Sequence, residues 1–205
     1  MGVYETMLKL YGALLRKVLV ETELADAFIE MDFELKEAME REELASIFTE
    51  KLGATNYDAS EGLLELYETS KYNILIGNKW IRISCIPECV SEILSALERV
   101  QNIKSFKVIV GIPEQTALKH MLELAKVASY ESKVDIDTDH NTINHTTVFD
   151  IYNGKGLKIR LKITERISIY NGRSYSITAE GESEGGIDAS SVISFLNLVL
   201  FKSYS

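Results

Sequence analysis

The feature that most constrains the fold is the stretch 146–203, where four strand-like runs precede one strongly apolar helix-like run. Tyr-Asn-Gly occurs there twice, as Tyr152-Asn153-Gly154 and Tyr170-Asn171-Gly172. Asn-Gly readily supplies the positive φ angles of a tight hairpin, so the two copies, flanked by alternating residues, predict an antiparallel meander. The alternation also assigns faces. Phe149, Ile151, Leu157, Ile159, Leu161, Ile163, Ile167, Ile169, Tyr175 and Ile177 fall on one side, the expected core side. Asp150, Tyr152, Lys158, Arg160, Lys162, Arg166, Ser168, Tyr170, Ser174, Ser176 and Thr178 fall on the other. After an acidic, glycine-bearing turn from Glu180 to Gly186, residues 188–203 predict a helix apolar around most of its circumference. Such a helix needs burial on more than one side.

Upstream, the period of the apolar residues changes twice. Tyr4, Met7, Leu8, Tyr11, Leu14, Leu15, Val18 and Leu19 give residues 3–20 an amphipathic helical stripe. Helical spacing continues through Leu24, Ala27, Phe28, Met31, Leu35, Ala38 and Met39, slips, and resumes at Leu44, Ile47, Phe48 and Leu52, with Gly53 as the stop. Asp58-Ala59-Ser60-Glu61 has capping-box spacing and predicts a short helix over 59–69. From Tyr72 the period falls to two. Residues 72–76, a Gly77-Asn78 turn and residues 80–83 predict a hairpin, Pro87 opens a helix reaching Val100, and Phe106–Ile112 reads as a strand. Pro113 then starts a helix over 114–129, Val134 and Ile136 mark a short strand, and Thr138–Thr146 reads as a polar loop. The expected fold class is α+β. A helical region, 1–69, precedes a domain, 70–205, in which a hairpin leads into a strand–helix–antiparallel meander–helix order resembling a helix-grip topology.

Composition narrows the class. A chain of 205 residues, 46% hydrophobic and 26% charged, is close to the globular average and needs no disulfide or metal staple. Two cysteines make no disulfide framework, and the start MGVYETMLKLYG lacks a signal-peptide layout, so a cytoplasmic location is expected. No apolar run reaches the roughly 18 residues of a membrane span. The net charge of −9 is concentrated in 21–51, which holds eleven acids against Lys36, Arg41 and Lys51. A segregated acidic block marks an interaction surface more readily than diffuse acidity does.

Three kinds of site stand out. On the polar side of the meander, Lys158, Arg160, Lys162 and Arg166 combine with Tyr152 and Tyr170. Cations beside stacking rings are what single-stranded nucleic acid requires. The same face, being positive, is equally suited to the acidic helices of this or another chain. Asp135, Asp137 and Asp139 cluster near His140, but the calcium-loop pattern fails, and an edge strand guarded by charge accounts for them without a metal. Cys85 and Cys89 have neither redox nor zinc spacing and read as packed free thiols. A winged-helix order over 43–83 would carry an acidic recognition helix, unsuited to phosphate. His120 reads as a surface or boundary residue. No phosphate loop, dinucleotide fingerprint or nucleophile elbow occurs, and no cofactor is implied. The sequence thus points to a non-enzymatic interaction protein, a homo-oligomer or an assembly subunit. A single-stranded nucleic-acid binder is the alternative, and a carrier with a pocket between sheet and last helix is a third.

Overall fold

In residues 29–35 apolar side chains alternate strictly with Glu30, Asp32 and Glu34. An α-helix would scatter these residues around its circumference, whereas an extended chain sends all four apolar ones to one side. The computed structural model, which describes residues 29–53, 56–60, 62–126, 128–154 and 157–196, makes this segment strand β1 (Ile29–Leu35). Helix α1 follows (Arg41–Leu52), ending at Gly53, whose N–H donates to the Thr49 carbonyl at 3.0 Å. Then come β2 (Asn56–Ser60), β3 (Leu63–Glu68), β4 (Tyr72–Ile76) and β5 (Trp80–Cys85). A 3₁₀ turn, Pro87–Cys89, leads into α2 (Val90–Leu97). The second half has β6 (Ile103–Ile112), α3 (Glu114–Ala125), β7 (Tyr130–Asp137), β8 (Thr142–Gly154), β9 (Leu157–Ser168), β10 (Gly172–Ile187) and α4 (Ala189–Leu196).

The ten strands form one antiparallel sheet in the order β2-β3-β4-β5-β1-β6-β10-β9-β8-β7. The order contains a duplication. Each half runs strand, helix, four-strand meander, helix, and each places its first strand beside its last. The first strands, β1 and β6, pair antiparallel with Phe33 opposite Phe106, so an approximate two-fold normal to the sheet relates the halves.

One face of the sheet is the core. Ile29, Met31, Phe33, Val108, Val110, Leu161, Ile163 and Ile177 are buried there together with Leu44 and Phe48 of α1, Ile93 and Leu97 of α2, Leu124 of α3 and Val192 and Ile193 of α4. Each such side chain contributes about 1.5–3 kcal/mol on burial. The sheet is tight where Gly181 passes the Phe106 ring: a Cβ on this glycine would lie 2.3 Å from a ring carbon. Any larger residue would have to displace the ring.

The α+β class holds as a largely antiparallel sheet with a few helices. The hairpin at 72–83, the helices after Pro87 and Pro113, and the strand–helix–meander–helix order from 106 onward are all present. The helix expected over 3–20 lies outside the described residues, as does the end of the helix expected over 188–203. Other expectations are overturned. Residues 29–35 are a central strand, because β5 and β6 flank them and hydrogen-bond both edges. Residues 56–60 and 63–68 form a hairpin, so the expected helix over 59–69 and the winged-helix order both fail. Thr138–Thr146 is mostly strand, with β8 starting at Thr142. Asn153-Gly154 lies inside β8, with Gly154 opposite Leu157, whereas Asn171 does sit at a turn followed by Gly172 at φ 72°. The stretch from Glu180 to Gly186 continues β10 through a register shift. Ile167 and Ile169 are exposed at the far end of β9, although Ile159, Leu161 and Ile163 are buried as expected.

Candidate binding face

The side of the sheet opposite the core carries polar residues on neighbouring strands, and the registers align them in rows. In one row Arg82 of β5 lies opposite Asp32 of β1, Asp32 opposite Lys107 of β6, and Lys107 opposite Glu180 of β10. Glu180 lies opposite Arg160 of β9, and Arg160 opposite Asp150 of β8. The sign of charge alternates at every step across six adjacent strands. The row on one side reads Trp80, Glu34, Ser105, Glu182, Lys158, Asn153, and the row on the other reads Ser84, Glu30, Ile109, Thr178, Lys162, Val148. Opposite charges directly across a strand pair are stabilising, and each exposed pair contributes up to about 1 kcal/mol.

Side-chain contacts run along the rows and between them. Arg82 Nε donates to Asp32 Oδ1 at 2.7 Å and Arg160 Nε to Asp150 Oδ1 at 2.6 Å. Lys162 Nζ lies 2.5 Å from Glu180, Lys104 Nζ 2.8 Å from Glu34, and Lys158 Nζ 3.7 Å from Glu182. The Lys104 hydrogen bond holds the Glu34 carboxyl below its ordinary range, and the Asp32 and Asp150 carboxylates raise the Arg82 and Arg160 guanidiniums above theirs. A trough of about 510 Å³ runs over this region, bordered by Asp32, Glu34, Trp80, Arg82, Lys107, Lys158, Arg160, Glu180 and Glu182. Trp80 is 41% exposed at its rim. Its ring is seated over Gly77, where a Cβ would lie 2.5 Å from the indole.

Lys158, Arg160 and Lys162 therefore do project together from one face, as their alternation predicted, and each stands beside a carboxylate. Arg166 is on the same face and has no ion-pair partner among the described residues, while Tyr170 is 77% exposed at the β9–β10 turn. The Tyr152 side chain lies outside what is described. Sequence reasoning missed the carboxylates that complete the rows. Glu180 and Glu182 belong to a strand instead of the expected turn, and Asp32 and Glu34 to a strand instead of the expected helix. The strict alternation of 29–35 was the available signal.

The remaining candidates resolve structurally. Asp135 pairs with Lys133 at 2.7 Å, while Asp137 Oδ1 accepts from the Asp139 and His140 backbone N–H groups at 3.1 and 3.0 Å. His140 Nδ1 lies 2.8 Å from Asp137 Oδ2, and these contacts cap the β7–β8 turn. β7 is indeed an edge strand. Cys85 and Cys89 are free and buried, and burial pushes the Cys85 thiol up to about 12. His120 departs from expectation. It is fully buried under α3, with no hydrogen-bond partner for either ring nitrogen among the described residues, and the Thr116 hydroxyl one turn earlier is equally unpartnered there. Burial lowers the imidazole to about 4.

Comparison with known proteins leaves the class at what fold and face define: no protein-family model matches the chain, and no curated protein matches it. No helix among the described residues is long and apolar enough to cross a membrane.

Proposed function

We propose that this chain is a non-enzymatic binding protein, an assembly subunit whose open sheet face receives a protein partner. The observation that carries this reading is the alternating charge row from Arg82 to Asp150. Phosphate backbones favour surfaces of one sign, because affinity comes from neutralising many phosphates at once. A face on which cations and carboxylates alternate offers a partner a pattern, and pattern complementarity gives register and specificity. Trp80 adds a large, half-exposed ring of the kind enriched at protein interfaces. The third reading, a carrier, receives less support, since Val192 and Ile193 of α4 belong to the same packed core as Phe149, Leu161 and Ile177.

The nucleic-acid reading keeps one supporting observation: Arg166, near the end of β9, has no ion-pair partner among the described residues, and Tyr170 in the turn that follows is exposed. One paired experiment separates the two. Tagged full chain and its Arg82→Glu/Lys107→Glu variant are each purified from the cells that produce the protein, and each is titrated with labelled single strands at low and physiological salt. A stoichiometric protein, another chain or this one, retained by the wild type and lost by the variant supports the proposal. Salt-sensitive binding of strands that weakens in the variant, with no protein lost, overturns it.

A further inference from the structure

We propose that the open face binds a second copy of this chain, face to face, about a two-fold axis lying between the two sheets and parallel to their strands. The inference rests on the binding-face reading above and names its occupant. Its basis is a symmetry property of the charge rows. Such an axis, placed between β6 and β10, reverses each row, so the first strand of the six opposes the last and the third opposes the fourth. An alternating row with an even number of members then meets its own complement. Arg82 opposes Asp150 of the second copy, Asp32 opposes Arg160, and Lys107 opposes Glu180.

The flanking rows obey the same operation. Glu34 comes opposite Lys158 and Glu30 opposite Lys162, and the other positions pair a charge with a neutral group or two neutral groups. No like charges face each other in the three rows. An axis in the same plane but along the central row would set every charge of that row against its own copy, and would bring Glu34 opposite Glu30 and Lys158 opposite Lys162. The rows therefore select one of the two orientations, as an isologous interface requires, since each patch must complement itself.

The geometry of sheets is compatible. Neighbouring strands are about 4.8 Å apart, so each row spans about 24 Å, and stacked sheets lie about 10 Å apart, within reach of arginine, lysine and glutamate from both sides. Twisted sheets stack with their strands about 30° apart, which shifts the ends of the rows most and the centre least. Lys107 and Glu180 flank the axis and keep their opposition. Lys107 also has no ion-pair or hydrogen-bond partner among the described residues, whereas the other charged members of its row do. It is the cation left available for a second chain.

The test exchanges charges across the axis. Lys107→Glu and Glu180→Lys are made separately in the full chain, and masses are measured by sedimentation equilibrium with circular dichroism confirming the fold. The wild type is expected to be a dimer. Each single variant sets like charge against like and should weaken self-association by about tenfold or more. An equimolar mixture of the two should recover a heterodimer, because the carboxylate introduced at position 107 of one chain then meets the ammonium introduced at position 180 of the other. A monomeric wild type overturns the inference, and the partner-capture experiment then decides the binding-face reading separately. A dimer that ignores both substitutions, or variants whose mixture does not associate, also overturns it. Should either variant fail to fold, Glu34→Lys and Lys158→Glu carry the same exchange.

Discussion

Replacing His120 with leucine should remove a specific sensitivity to acid. The imidazole is fully buried with both nitrogens unpartnered among the described residues, and burial lowers it from 6.5 to about 4. The unfolded chain therefore binds this proton more readily than the folded one, and stability rises with pH across the interval. The contribution is complete above about pH 6.5 and is lost as pH falls toward 4. At about 1.36 kcal/mol per unit, the full interval is worth roughly 3 kcal/mol, of which about 2 kcal/mol has gone by pH 5. Urea unfolding of wild type and His120→Leu at pH 7.5, 6.5, 5.5 and 5.0 measures the difference directly. Every other side chain is the same in both proteins, so the difference reports position 120. The gap should move in favour of the variant by about 2 kcal/mol between the extremes. At pH 7.5 the variant should be no less stable, because removing an unsatisfied buried polar group is neutral or favourable when shape is kept. A gap independent of pH would refute the assignment of His120 as a buried neutral base.

Gly181→Ala should destabilise the fold by about 1–3 kcal/mol, the usual range for overpacking, because its Cβ would meet the Phe106 ring at 2.3 Å. Adding Phe106→Leu should recover part of that loss, and thermal unfolding of the three proteins would show it. Cys85 and Cys89, buried and with thiols raised by desolvation, should resist an aromatic disulfide reagent at pH 8 and react in urea. Fast reaction of the folded protein would contradict their placement.

Much of the second half was legible because its period is unmistakable over long runs. Leu157 to Ile163 alternates without exception, and Pro113 marks the start of α3 where a missing N–H costs little. The first half was harder. Phe28, Met31, Leu35, Ala38 and Met39 satisfy a helical period while Ile29, Met31, Phe33 and Leu35 satisfy a strand period. Local propensity does not decide between them. Pairing with β5 and β6 does, and those partners lie 50 and 75 residues away at Arg82 and Lys107 opposite Asp32. Missing β1, β2 and β3 also hid the duplication, since the first half then lacked the strand order that matches the second.

The face was legible only in part for the same reason. Alternation along β9 showed that Lys158, Arg160 and Lys162 share a side, but not what stands across from them. Registers between β1, β6, β9 and β10 bring Asp32, Lys107, Glu180 and Arg160 into line, and no periodicity within any one strand records that. A set of cations read alone suggests phosphate. Read with their cross-strand carboxylates, the same cations suggest a protein surface.

The most direct measurement is a cross-link across the proposed axis. Lys107→Cys and Glu180→Cys chains, one of them tagged, are mixed and treated with a bismaleimide spanning about 10 Å, the separation of stacked sheets. A 107-to-180 heterodimer, identified by peptide mass, is expected, with little product when the Glu180→Cys chain is replaced by Glu123→Cys on α3, on the helical side of the sheet. Absence of the 107-to-180 product, or equal yield with the control, would contradict the proposed axis.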